Sequence, residues 1–310
     1  MKRFIIAIAL LLAPIGAAAQ ALSAGGALGP VPQQGYLRVF QSSGAGTLPS
    51  GCQSLNLTLM GGGQSGAPGG TIAAGQSGSG GGSGGSGALL LFRNVSVSTL
   101  PTLGYTVTIG AGGAAPLAGS AANSGGNSFI SFGATTFSVF GGSATGPTAG
   151  IQGATSSGGI GGNNVMAINA GGVVQNTFWA ATGGQGSSAT GVPGAANSSV
   201  GAPGVAGAGG GLNAGVFQQG GNSGYAWYTN AAQVQFGGQT DGAAGGVTPP
   251  PSNFPLLSEG GAGGAGSAAG TGGAGSAGYN GGGGGGGGSG PLGGGAGGAG
   301  GNGYVVVECH

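Results

Sequence analysis

The amino-acid sequence predicts an all-β protein, in which short antiparallel strands frame glycine-rich loops and packed polyglycine-type helices with three residues per turn. Three observations support this fold class. Glycine supplies 88 of the 310 residues. Short segments rich in β-branched and aromatic residues are separated by glycine, as strands are by turns. Beyond the N-terminal leader no segment sustains the 3.6-residue periodicity that an amphipathic helix needs.

Six segments carry the strand pattern. In one of them Thr106 and Thr108 alternate with Val107 and Ile109, as expected for a strand with one buried and one exposed face. The predicted strands are residues 36–40, 53–60, 104–109, 128–132, 135–140 and 304–308.

Glycine recurs at every third position between the predicted strands. Counting in threes from residue 260 to residue 293, eleven of twelve positions are glycine, the exception being Ala269, and shorter registers cover residues 75–87 and 201–210. An extended left-handed helix has three residues per turn, and glycine on one edge lets neighbouring backbones hydrogen-bond laterally. The alternative is a flexible glycine/serine linker, which has no reason to keep a register.

The scarcity of charge excludes most enzymatic chemistry. Only 2% of the residues are charged, and the single histidine is His310. Acid–base catalysis, carboxylate metal sites and basic nucleic-acid surfaces need side chains that this chain hardly has. The sequence therefore predicts no catalytic residues, no metal site, no cofactor and no nucleic-acid partner.

The N-terminus has the pattern of a secretory signal. Lys2 and Arg3 precede an apolar run at 4–12 and small residues suited to cleavage, and the run is too short to remain as a membrane span. Residues 1–21 are predicted to be removed, which leaves a secreted or cell-surface protein without a membrane span. In an oxidising compartment Cys52 and Cys309 form either a disulfide or two independent thiols.

Composition divides the chain further. Residues 22–46 are interpreted as a lead-in, 47–142 as the first part of a glycine-rich β domain, 143–257 as a divergent insert, and 258–310 as a triplet glycine run with a closing strand.

The insert contains an aromatic segment interleaved with glutamine and asparagine. Such a mixture suits stacking on neutral rings such as sugars and hydrogen-bonding to them. The alternative is that the rings fill a small core. The predicted ligand-binding residues are Phe217, Tyr225, Trp227, Tyr228 and Phe236.

The strand and glycine motifs follow one another in a characteristic order. A Pro49-x-Gly51 turn leads into a strand at 54–60 and three glycines. The motifs that follow are GYTVTIGAGG (104–113), GGNSFISFG (125–133), TTFSVFGG (135–142) and GGAGGNGYVVVE (297–308). This order resembles the glycine-rich domain family found at the receptor-binding ends of phage tail fibres and in related secreted bacterial proteins. The resemblance implies opening and closing strands joined in one β framework, and a distal glycine-rich part that contacts the host cell surface.

Together these observations predict a non-enzymatic exported adhesin or fibre-tip protein that binds a cell-surface glycan or outer-membrane receptor, within a virion if it is phage-encoded. Two features depart from the tail-fibre pattern: the secretory leader and the insert at 143–257, which aligns with no part of the family. The alternatives are a self-assembling coat or matrix protein, which permits a homo-oligomer, and an ice-binding protein.

Overall fold

The computed structural model describes residues 35–143, 147–153, 204, 206–223, 235–246 and 258–310. The predicted secretory signal at 1–21 lies outside the described residues, as do three of the predicted aromatic residues, Tyr225, Trp227 and Tyr228. The described part of the chain is β-rich and contains no α-helix.

Ten strands and one 3-10 turn, Val97–Thr99, are formed by these residues. All six predicted strands are confirmed, with bounds that differ by at most one residue. The strands are β1 (Tyr36–Phe40), β2 (Gly44–Thr47), β3 (Ser54–Met60), β4 (Leu89–Ser96), β5 (Gly104–Thr108), β6 (Ser128–Phe132), β7 (Thr135–Val139), β8 (Leu212–Asn213), β9 (Val216–Phe217) and β10 (Tyr304–Cys309).

The strands form two four-stranded antiparallel sheets and a small hairpin. The first sheet has the order β1-β10-β3-β4, the second has the order β2-β5-β6-β7, and β8 pairs with β9. The closing strand β10 lies between β1 and β3, antiparallel to both. The opening and closing strands are therefore joined in one β framework, the arrangement that the tail-fibre resemblance implies.

One hydrophobic core fills the space between the two four-stranded sheets. Leu57, Phe92 and Val305 enter it from the first sheet, and Ile130 and Phe137 enter it from the second. The rings of Phe92 and Phe137 meet edge-on with centroids 5.0 Å apart. This β-sandwich is held by side-chain burial in the ordinary way.

Cys52 and Cys309 form a disulfide across 257 residues of sequence. The bond ties the end of β10 to the residues that precede β3. Disulfides persist in oxidising compartments, so the bond agrees with the predicted export. A search of the described residues for a helix long and apolar enough to cross a membrane finds none.

The glycine-rich runs outside the strands bond to one another through their backbones, and the bonded residues are spaced by three. Run 281–290 lies at the centre. Its N–H groups donate in rotation to three neighbouring runs, as Gly284 does to Gln64, Gly285 to Ser276 and Gly286 to Gly207. Its carbonyl oxygens accept in the same rotation from three further runs, at N···O distances of 2.8–3.0 Å from Gly84, Gly298 and Gly264. The central run therefore has six hydrogen-bonded neighbours.

Close packing explains why the central run is glycine. A Cβ built on Gly285 would overlap the carbonyl oxygen of Ala262, and one on Gly286 would overlap that of Gly81. Residues 281–288 are all glycine and all buried. We call this assembly of hydrogen-bonded runs the glycine lattice.

Candidate functional site

The glycine lattice ends in short segments on the side away from the sheets. The run that follows β3, for example, turns at residues 71–77 before it returns to β4. Six such segments of the described residues are joined to one another by hydrogen bonds or a β-bridge, and we call them together the tip surface. They are residues 71–77, 151–153, 213–216, 240–242, 268–271 and 290–293.

Hydrogen bonds join one half of the tip surface around residues 71–77. The backbone N–H of Ala73 donates to Gln152 Oε1 at 3.3 Å. The N–H of Ala214 donates to Ser77 Oγ at 2.9 Å, and that of Gly215 donates to the carbonyl of Gln76. Three segments that are distant in sequence are thereby held side by side.

The other half is joined around residues 268–271. Leu292 donates its backbone N–H to the carbonyl of Gly270 at 3.1 Å, and Ala268 donates to Asp241 Oδ1 at 3.1 Å. A bridge between Thr71 and Gly290 connects the two halves. The tip surface is therefore one continuous bonded structure.

Exposed apolar side chains distinguish the tip surface from the lattice beneath it. Leu292 is 78% exposed, Val216 60% and Ile151 45%. Asp241 is its only charged residue. A neutral surface with isolated large apolar groups on a bonded scaffold is suited to contact with another molecule.

Ile151, Val216 and Leu292 were not predicted from the sequence because none of them belongs to a segment with helix or strand periodicity. A signal was nevertheless present. Leu292 follows Pro291 between two glycine runs, and Val216 follows Ala214 and Gly215. A large apolar residue at a turn between such runs either packs into the lattice, as the fully buried Ile72 does, or faces solvent or a partner.

Two of the predicted ligand-binding aromatics lie within the described residues. Phe217 ends β9, is half-buried and borders the tip surface. Phe236 is largely exposed, and its carbonyl accepts a hydrogen bond from the N–H of Gly246. The structure therefore gives these two rings different surroundings, and the use of either in ligand binding stays a prediction.

Apart from Asp241, the charged side chains of the described residues lie away from the tip surface. Arg93 pairs with Glu308 at 3.6 Å, while Glu259 is fully buried within the lattice. The ring of His310 lies 2.9 Å from Asn56 Nδ2. In the part of the chain that the structure describes, no three His, Cys, Asp or Glu residues lie close enough to hold a metal ion.

A tyrosine pair lies where the two sheets meet at β1. The hydroxyl oxygens of Tyr36 and Tyr105 are 2.7 Å apart. Burial, followed by the hydrogen bond to Tyr36, raises the pKa of Tyr105 above its ordinary value. Burial alone raises the pKa of Tyr304 to about 12. Both side chains are therefore neutral hydroxyls at physiological pH.

Comparison with known proteins does not assign the chain to a family. No protein-family model matches the sequence, and a search of curated proteins finds no significant match. The likeness to the glycine-rich domains of tail-fibre tips therefore stays a prediction.

Proposed function

We propose that the protein is a non-enzymatic, exported recognition protein, an adhesin or fibre tip, whose tip surface binds a receptor on a cell surface. The tip surface is the observation that carries this proposal. Contact residues on loops that a rigid scaffold positions are the usual arrangement of binding proteins.

The scaffold beneath the tips is proposed to be a bundle of polyglycine-type helices. The support is the rotation of hydrogen-bond partners along run 281–290, because a helix with three residues per turn directs every third residue at the same neighbour. At roughly 3.1 Å per residue, a run of ten residues carries its tip about 30 Å from the sheets. Isotope-edited infrared or Raman spectra would test this, and an α-helical amide signal from residues 281–288 would contradict it.

The receptor class follows from the chemistry of the tips. Apolar side chains, backbone amides and a single carboxylate provide little for a highly charged ligand. A neutral surface glycan, or the uncharged loops of an outer-membrane protein, matches such a surface. Because the lattice fixes the backbone of each tip, little conformational entropy is lost on binding.

The test is binding of the purified protein to cells and to an array of neutral glycans. Leu292→Gln with Val216→Gln is expected to weaken binding at least about tenfold, because each change removes an apolar contact from the interface. Leu117→Gln is the matched control. Leu117 is 75% exposed, close to the 78% of Leu292, but it lies in a turn at residues 117–120 that is not part of the tip surface.

Two results would overturn the proposal. One is binding that the double variant and the Leu117 variant reduce equally. The other is wild-type protein that binds neither cells nor any glycan, when circular dichroism shows that it is folded.

Self-association is a second candidate function, and the edge of the first sheet favours it. Among the described residues, strand β1 pairs only with β10. Its outward residues Leu37, which is 61% exposed, and Val39 present apolar groups beside this strand edge. Such an edge can pair with a second copy. Light scattering over a range of concentrations tests this: growth of oligomers that Leu37→Lys abolishes would favour the structural role, and a monomer at every concentration would exclude it.

A further inference from the structure

Arg38 is the cation of the β-sandwich that the chain itself does not neutralise. It lies in edge strand β1, between Tyr36 and Phe40, on the side that faces the second sheet. The other arginine of the described residues, Arg93, has Glu308 as its partner at 3.6 Å. The structure gives Arg38 no carboxylate partner.

The small number of carboxylates in the sequence explains why Arg38 has no carboxylate partner. The chain has three side-chain carboxylates, Asp241, Glu259 and Glu308, and all three lie in the described residues. Asp241 accepts a hydrogen bond from Ala268 in the tip surface, Glu259 is fully buried in the lattice, and Glu308 pairs with Arg93. No acidic side chain in the chain remains to pair with Arg38, so an anion that pairs with it would come from outside the chain.

The guanidinium of Arg38 is held in place from several sides. It lies over the ring of Phe40, with its Cζ atom 5.8 Å from the ring centroid. Its Nη1 atom approaches the carbonyl of Ala45 at 3.5 Å, and a hydrogen bond to Tyr105 raises the pKa of Arg38 further above its ordinary value. A guanidinium has five N–H donors, so donors remain for a further acceptor.

Gly46 provides the room for this arrangement. A Cβ on Gly46 would overlap the Tyr105 hydroxyl and stand 2.9 Å from Arg38 Nη1. Gly46, Gly104, Tyr105, Thr106, Ser131 and Gly133 line a shallow, open depression beside the guanidinium. The missing side chain at position 46 therefore keeps the guanidinium and the hydroxyl in contact.

The tyrosine pair adds a hydroxyl donor. Tyr36 and Tyr105 together carry two hydroxyl hydrogens, and the 2.7 Å contact between their oxygens uses one. Tyr105 is buried and Tyr36 is only partly buried, so the hydrogen that can reach an outside ligand belongs to Tyr36. Hydrogen bonds in a chain polarise one another, and this makes the remaining hydroxyl a better donor to an anion.

We infer that Arg38, Tyr36 and Tyr105 form a binding site for a single oxyanion group, such as the carboxylate, phosphate or sulfate of an acidic ligand, at the junction of the two sheets. The guanidinium supplies the charge and two N–H donors, and the Tyr36 hydroxyl supplies a third. The site lies in the β-sandwich and not on the tip surface, so it does not depend on the proposed receptor contact.

The test is a titration of the intact protein followed by NMR of the arginine side-chain N–H groups. The probes are glucuronate, glucose 6-phosphate and glucose 6-sulfate, with glucose as the neutral control. A shift of the Arg38 signal, without a shift of the Arg93 signal, is the expected result. A response to glucuronate alone supports a carboxylated ligand, and a response to the phosphate or the sulfate alone supports that ester.

Variants separate a binding role from a structural one. Arg38→Gln and Gly46→Ala are expected to weaken binding at least about tenfold, and Tyr36→Phe less, because a charged hydrogen bond contributes more than a neutral one. Arg93→Gln is the control and is expected to bind like the wild type. Raising the salt concentration is expected to weaken binding in the wild type.

Two outcomes would overturn the inference. The first is the absence of any Arg38 shift with all three anions. The second is unchanged binding in a folded Arg38→Gln protein. If that protein also self-associates, Arg38 protects the β1 edge against pairing instead.

Discussion

The β-sandwich and the glycine lattice reach the same end, a buried and ordered interior, by opposite routes. In the sandwich, side chains such as Phe92 and Phe137 fill the space between sheets, and hydrophobic burial stabilises it. At the centre of the lattice, residues 281–288 carry no side chains, and the backbone groups of run 281–290 bond to six neighbours. The difference teaches that a chain with few large side chains can still order its backbone, provided that every N–H and C=O finds a partner.

The comparison implies opposite responses to mutation. Removing atoms damages a side-chain core because it leaves a cavity, whereas adding atoms damages a backbone lattice because no space exists for them. The predictions that follow go from the largest expected effect to the smallest.

Phe92→Ala tests the sandwich. Phe92 is fully buried and contacts Phe137, so the free energy of unfolding is expected to fall by about 4 kcal/mol, the usual result of removing a buried ring. Denaturant unfolding followed by tyrosine fluorescence measures it. Leu103→Ala, at an exposed position of the same sandwich, is the control and is expected to change the free energy by no more than about 0.5 kcal/mol. Equal effects would contradict the side-chain account.

Gly286→Ala tests the lattice by adding one methyl group. The new Cβ would overlap the Gly81 carbonyl oxygen and stand 2.6 Å from the Gly209 nitrogen. Neither backbone atom can move without breaking its own hydrogen bond, so the free energy of unfolding is expected to fall by about 3 kcal/mol.

The matched control for the lattice is Gly104→Ala. The nearest atom to a Cβ there is Thr102 Oγ1 at 3.6 Å, which is an ordinary contact, so little change is expected. Thermal unfolding of both variants decides the point. If both unfold at the wild-type temperature, the central run is not closely packed.

Removal of the disulfide is expected to lower the free energy of unfolding by a smaller amount. Cys52→Ser with Cys309→Ser removes a cross-link between residues that β10 and β3 already hold together, so we expect a loss of about 2 kcal/mol, the lower end of the usual range. Wild-type protein in excess reductant is expected to match the double variant. A double variant as stable as the oxidised wild type would show that sheet pairing alone fixes these strands.

Alkaline pH is expected to cause the smallest loss of stability. Burial raises the pKa of Tyr304 from 10.0 to about 12 in the folded protein. The pKa of Tyr304 is higher in the folded protein than in the unfolded chain. The stabilisation of the folded protein that corresponds to this difference is therefore complete below pH 10 and is lost as the pH rises through about 12. At pH 11 the loss is about 1 kcal/mol.

Unfolding measured between pH 9 and pH 11 tests the Tyr304 effect. Tyr304→Phe is expected to remove part of the pH dependence, since it cannot ionise. Tyr105, whose pKa burial also raises, is expected to supply the remainder. A Tyr304→Phe profile that is identical to the wild-type profile would contradict the assignment.

The prediction of strands from sequence succeeded where side chains alternate, as in β5, or where β-branched residues cluster, as in β10, and it missed β2 and β4. Strand β5, with Thr106 and Val107 on opposite faces, was predicted from its alternation. Strand β2 has the sequence GAGT and strand β4 begins with LLLF, and neither pattern alternates. Both are strands because a neighbouring strand supplies their hydrogen bonds, and this information is not local.

The candidate site was less predictable than the fold. The sequence directed attention to aromatic residues, among them Phe217 and Phe236, whereas the tip surface is formed by single residues such as Leu292 and Val216. Their proximity depends on bonds between segments that lie far apart in the chain, such as that of Ala214 with Ser77. The same holds for Arg38, whose lack of a carboxylate partner is visible only when each carboxylate has been located.

By itself the sequence determined the chemistry of this protein: a nearly charge-free chain, strands that alternate, a cysteine pair and a glycine register of three. These follow from local rules about which backbones and surfaces each residue permits. Only the tertiary structure decided that the glycine octet 281–288 is the centre of the lattice. The reason is steric: a run with neighbours on all six sides has no direction left for a Cβ, while a run at the margin keeps one for alanine or serine.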